Sequence, residues 1–170
     1  MLLWAAASYF ALLPCATAGG ISGATIAVEP GGGWYFVHQS TPKGVGIGGR
    51  LSVPVVWGFE IAAGYTVVDV KSTALPMTTH HAYGALAYRL DDFKYFSPWV
   101  ELGAGFFRFA LHQKGRAPVD DCALHVSLGA DFIWHHLLLG AFARYEIYPL
   151  TGLTTFPSGM AAGLRIGAYL

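Results

Sequence analysis

His125 and Ser127 stand two residues apart, so on a strand their imidazole and hydroxyl share one face. Glu146, on the next strand in sequence, has the parity to face the same side. Histidine, serine and a carboxylate are the ingredients of an activated nucleophile for acyl transfer. Two histidine pairs, His80-His81 and His135-His136, raise metal binding as a second chemistry. Adjacent strand residues point to opposite faces, so neither pair is a good chelate, and no metal site is expected. Asp91-Asp92 and Asp120-Asp121 read as solvated loop charges; the second pair could bridge to lipid phosphate through a divalent cation. Cys15 and Cys122 are the two cysteines.

What must position these groups is a pattern of period two. Val45, Ile47, Leu51 and Val53 alternate with Gly44, Gly46, Gly48, Arg50 and Ser52. Leu124, Val126, Leu128, Ala130 and Phe132 alternate with Ala123, His125, Ser127, Gly129 and Asp131. Alternation of this kind marks strands with one apolar face. The pattern recurs too often for 170 residues to bury every apolar face in a soluble core. A closed barrel with its apolar side in lipid satisfies it.

Composition agrees. The chain is 54% hydrophobic and 12% charged, has 22 glycines, and carries no formal net charge. Zero net charge offers nothing to nucleic acid and no polybasic anchor. Charges at Arg50, Glu60, Asp69, Lys71, Arg89, Glu101, Asp131, Arg144, Glu146 and Arg165 break the chain into short pieces, and the uncharged stretch Ile147 to Leu164 carries two prolines, three glycines and three threonines, which make it a poor spanning helix. The long apolar stretch is Leu2 to Pro14, followed by Ala16-Thr17-Ala18. That reads as an export signal over residues 1–18, cut after Ala18, although no Lys or Arg precedes it. Residues 19–170 form the barrel domain, and Cys122 is then the remaining cysteine.

The periodicity predicts eight strands. The first lies within Thr25–His38 and is interrupted or kinked at Pro30-Gly31-Gly32-Gly33. The others are about Gly44–Val53, Gly58–Val70, His81–Leu90, Pro98–Ala110, Cys122–Ile133, Leu137–Tyr148 and Gly159–Leu170. Three connections that are short or tight (Pro54–Trp57, Asp91–Ser97, Trp134–His136) alternate with four that are longer or more polar (Gln39–Lys43, Lys71–His80, Leu111–Asp121, Pro149–Ser158). Short turns on one side and long loops on the other are characteristic of outer-membrane barrels. Trp57, Trp99 and Trp134 flank the three tight turns and form the expected periplasmic aromatic girdle, with Phe59, Phe93, Tyr95 and Phe96. Tyr65, Phe106, Phe109, Tyr145 and Tyr148 are candidates for the outer girdle.

Parity sends Arg50, Ser52, Glu60, Glu101, His125, Ser127, Asp131, Arg144, Glu146 and Arg165 to the face opposite the lipid. An eight-stranded barrel is just wide enough to be filled by side chains. Arg50, Arg144 and Arg165 are therefore expected to pair with Glu60, Glu101, Asp131 and Glu146 in a lumen charge network. Arg108 has outward parity near the upper end of its strand, at headgroup level. In this setting His125 and Ser127 are lumen hydrogen-bonding groups, and no catalytic residue is expected.

Five stretches carry a resemblance: GVGIGGR from Gly44 to Arg50, SPWVELGAG from Ser97 to Gly105, SLGADF from Ser127 to Phe132, GAFARYE from Gly140 to Glu146, and AGLRIG from Ala162 to Gly167. With the strand count and turn asymmetry, the chain resembles the OmpA-like and OmpX-like small eight-stranded outer-membrane barrels. The resemblance implies an all-β up-and-down transmembrane barrel in the outer membrane of a Gram-negative bacterium. That family usually ends on an aromatic residue, whereas Leu170 is last here and Tyr169 precedes it. His125-x-Ser127 also resembles, faintly, the His-x-Ser pair of the outer-membrane lipid A 3-O-deacylases. That family has Asn after the serine and Glu about a dozen residues on, where this chain has Leu128 and Leu139. The reading is a non-enzymatic barrel with a structural or surface-interaction role and a plugged lumen. A narrow ion or water channel and a lipid A-modifying hydrolase are the alternatives. The partners it implies are outer-membrane lipid, lipopolysaccharide and the barrel assembly machinery, with no cofactor, no nucleic acid and a monomeric state.

Overall fold

The computed structural model describes residues 23–36, 41–72, 76–90, 95–113, 115–148 and 158–170. The expected export signal and the Asp91-Asp92 pair with Phe93 lie outside these residues. Eight strands run antiparallel in chain order: β1 (Thr25–Phe36), β2 (Lys43–Val56), β3 (Phe59–Val70), β4 (Met77–Arg89), β5 (Phe96–Leu111), β6 (Val119–Trp134), β7 (Leu137–Ile147) and β8 (Ser158–Tyr169). Each pairs with the next, and β8 pairs with β1 to close the barrel. Closure leaves no open sheet edge, which is what lets β-structure cross a bilayer.

The strands overrun their sequence-predicted bounds at several ends. β4 begins at Met77, so His80 and His81 are strand residues, not loop residues: His80 faces outward and His81 inward. β6 begins at Val119, which corrects the reading of Asp120-Asp121 as loop charges and sends the two to opposite faces. Pro54 lies within β2, where the register shifts between Pro54 and Val56, and not in the turn. The turn itself is Trp57-Gly58, with φ of 48° and 79°. Two left-handed residues in a two-residue hairpin match the twist of the flanking strands. β1 runs through Pro30 and the three glycines without the expected break, pairing Pro30 with Ile47 and Gly32 with Val45 of β2. On its other side the ladder to β8 passes from Val28–Ile166 to Gly31–Gly163, lacking the pairings at Glu29 and Pro30. Pro30 has no N–H to offer a ladder.

The outer face is an apolar belt. On β5 it runs from Phe96 through Val100 and Leu102 to Phe106, all exposed. Ten residues of tilted strand span about 25 Å of height, which matches the apolar band of outer-membrane barrels. Inside, the loop end is filled by an apolar cluster of Tyr35, Val68, Val70, Met77, Phe107, Phe109, Ala123 and Tyr148. Phe109 and Tyr148 thus belong to the interior, not to the outer girdle, whereas Tyr65, Phe106 and Tyr145 do face out. The inward residues at the loop ends of β3, β4 and β5 have rings and methyls to bury in this cluster.

Candidate functional site: the lumen charge network

Below the apolar cluster, towards the tight turns, the lumen is polar. At the turn end Arg89 donates from Nε to Glu60 Oε1 at 2.5 Å and from Nη1 to Asp131 Oδ2 at 3.0 Å. Arg165 Nη1 donates to both oxygens of Asp131, at 3.0 and 2.8 Å. One level higher, Arg50 donates from Nε and Nη2 to Glu101 Oε2 at 3.1 and 2.8 Å. Arg165 Nε also lies 3.2 Å from Glu29 Oε1. In the next layer Arg144 stacks 4.2 Å from the centre of the Tyr83 ring and donates from Nε to Ser127 Oγ at 3.1 Å. At the top, His81 Nδ1 sits 3.1 Å from Glu146 Oε1, and the Tyr148 hydroxyl donates to Glu146 Oε2 at 2.8 Å.

The strands deliver these groups by parity alone. Arg50, Glu60, Glu101, Asp131, Arg144, Glu146 and Arg165 are all inward and buried. Four further inward groups complete the network, and the sequence reading had not assigned them to it: Glu29, His81, Tyr83 and Arg89. Glu29 was hidden by reading a break at Pro30; a continuous β1 gives it the inward parity of Ala27 and Tyr35. Arg89 and Tyr83 share the inward parity of Ala87 on β4.

Trp99 is a correction. It is 5% exposed and points into the lumen, with the guanidinium of Arg165 4.7 Å and that of Arg50 5.3 Å from its ring centre. It shares the parity of Glu101, so the alternation of β5 overrides its nearness to a turn. Its ring serves as a cation–π wall for two arginines. Trp57 and Trp134, 86% and 57% exposed, stay outside beside their turns.

The proposed Ser-His-acid set is not assembled. His125 Nε2 lies 3.3 Å from Glu101 Oε1, and Glu146, its cross-strand neighbour, turns instead to His81. Ser127 Oγ donates to Glu101 Oε1 at 3.3 Å while accepting from Arg144. A hydroxyl whose proton is given to a carboxylate and whose lone pair is held by a guanidinium is a poor nucleophile. Both residues are buried in the lumen, away from lipid. No cluster of three or more His, Cys, Asp or Glu side chains able to hold a metal occurs among the described residues.

Glycines let these large groups fit. A Cβ on Gly129 would stand 2.5 Å from the Trp99 ring and 2.5 Å from the Ala141 carbonyl oxygen. A small cavity of about 20 Å³ lies beside Glu29, His81, Arg144 and Glu146. It has room for about one water and polar partners to hold it.

No family model matches the sequence, and no curated protein matches it. Solved structures do. Neisserial surface protein A superposes with a TM-score of 0.73 at 14% identity, over 88% of this chain and 97% of that one. Ail, the attachment invasion locus protein of Yersinia pestis, gives 0.64 at 13% identity, over 87% and 98%. The N-terminal β-barrel domain of OprF from Pseudomonas aeruginosa gives 0.61 at 14%, over 88% and 98%. At such identities the likeness is one of fold. With its closed ladder, two-residue turns at Trp57-Gly58 and His135-His136 and apolar belt, the chain has the small eight-stranded up-and-down barrel fold of these outer-membrane proteins.

Proposed function

We propose that this protein is a non-enzymatic outer-membrane barrel with a structural or surface-interaction role, whose lumen is closed by its own side chains. The observation that carries the reading is the stacked lumen. Two layers of arginine–carboxylate pairs fill the turn end, and an aromatic cluster fills the loop end. An ion crossing this column would have to displace paired charges and then dehydrate against Phe107 and Phe109. The committed hydroxyl of Ser127 supports the absence of acyl transfer.

The test is electrical. Detergent-refolded protein reconstituted into a planar bilayer should give no stepwise conductance. Arg144→Gln and Glu146→Gln should lose stability and remain silent. Discrete conductance steps from the unsubstituted protein, altered by either substitution, would replace this reading with a channel. Release of fatty acid from lipid A, lost in Ser127→Ala, would replace it with a hydrolase.

A further inference from the structure

The outer face is not uniform around the barrel at its loop end. On β7, β8, β1 and β2 the outward positions towards the loop end are apolar, Tyr145, Ile147, Met160, Trp34, Phe36 and Val45, up to Lys43 at the very end of β2. On β3 to β6 they change character. The Tyr65 hydroxyl lies 2.7 Å from His80 Nδ1. His80 is the cross-strand partner of Arg108, and Arg108 is the cross-strand partner of Asp120. Arg108 Nε lies 2.9 Å from Asp120 Oδ1, with both side chains about half exposed. These four side chains form one outward band, and the last apolar residue below it is Phe106, two positions down β5.

We propose that Tyr65, His80, Arg108 and Asp120 form a seat for a phosphate of the outer-leaflet glycolipid, the phosphorylated glucosamine headgroup of lipopolysaccharide. The proposal deepens the surface-interaction reading above by naming a partner and its contact. Position selects an amphiphile. A ligand here meets Arg108 with its head and Phe106, about 7 Å lower along the strand, with its tail. Chemistry selects phosphate. The guanidinium fork suits a phosphate's oxygens, and its edge towards Asp120 leaves other N–H groups for a ligand. In the tautomer whose Nδ1 accepts from the Tyr65 phenol, His80 Nε2 carries the ring proton and is a second donor. The exposed Arg108–Asp120 pair is weak enough to share its cation with an incoming anion. Arginine is also costly on a lipid face unless it reaches headgroups, which places this band at that level.

The test uses full-length protein refolded in detergent and read by native mass spectrometry. Bisphosphorylated lipid A should be retained about tenfold over dephosphorylated lipid A, the value of one charge-assisted contact. Arg108→Gln should erase that preference while keeping the heat-modifiable mobility of an intact barrel. Asp120→Asn should keep the preference, because it removes only a competing anion. Equal retention of the two lipids, or a preference that survives Arg108→Gln, would overturn the proposal. Displacement of lipid A by millimolar inorganic phosphate would also overturn it, by making the seat a free-anion site. None of these outcomes depends on conductance, so the plugged-lumen reading stands or falls separately.

Discussion

Asp131→Asn is the sharpest test of the lumen. Asp131 is fully buried and accepts from two guanidinium groups, those of Arg89 and Arg165. Asparagine keeps one acceptor oxygen and turns an NH₂ donor towards guanidinium donors that cannot accept from it. Arg89 retains Glu60, and Arg165 retains Glu29, so neither cation is left wholly unpaired. Losing one or two charged hydrogen bonds at about 1.5–3 kcal/mol each, softened by those remaining partners, gives a cost of about 3 kcal/mol. The assay is urea unfolding in lipid vesicles, followed by tryptophan fluorescence and by the mobility shift of unboiled protein on a gel. Asp120→Asn is the control. Its pair is half exposed, and the loss should stay below about 1 kcal/mol. If Asp131→Asn cost no more than this control, the lumen would have to be wet and its ion pairs screened. The argument for a plug would then collapse.

Trp99 should behave as an interior residue: in single-tryptophan variants, brominated lipid should quench Trp57 and Trp134 but not Trp99. Strong quenching of Trp99 would show that β5 has the opposite parity. Gly129→Ala should cost about 1–3 kcal/mol, because the added methyl meets a backbone carbonyl that cannot yield. Gly49→Ala, whose new Cβ would have no neighbour nearer than 4.0 Å, should be neutral in the same unfolding assay. Replacing Trp99 by Leu should destabilise through loss of the Arg50 and Arg165 stacking, by about 1–2 kcal/mol beyond the change in packing.

Period-two alternation is a local signal, and the barrel was legible wherever it ran unbroken. The inward charges of β2, β3, β5, β6, β7 and β8 follow from parity, because a side chain's face is fixed by counting. Counting failed where another rule was given precedence. Trp99 was assigned to the interface because tryptophan favours interfaces and a turn is near, although its parity with Glu101 said otherwise. Glu29 was missed because Pro-Gly-Gly-Gly reads as a break, and only pairing with both neighbours shows that the strand passes through. Which carboxylate each histidine meets was not legible either. His125 and Glu146 are cross-strand neighbours, yet the lumen is narrow enough for His125 to reach Glu101 and for His81 on β4 to reach Glu146. Contacts across a barrel's bore depend on its radius and stagger, which no single strand encodes.

The two pairings absent from the β1–β8 ladder have a consequence for how the cylinder comes apart. Apart from the register shift at the turn end of β2 and β3, the other neighbouring pairs are continuous zippers, while this join is interrupted mid-height, next to the Gly31–Gly163 approach. Proline thereby turns one of eight equivalent junctions into a clasp. Backbone amides flanking Pro30 should exchange with deuterium ahead of those facing them across β4 and β5. A barrel pulled open sideways should part first along that line.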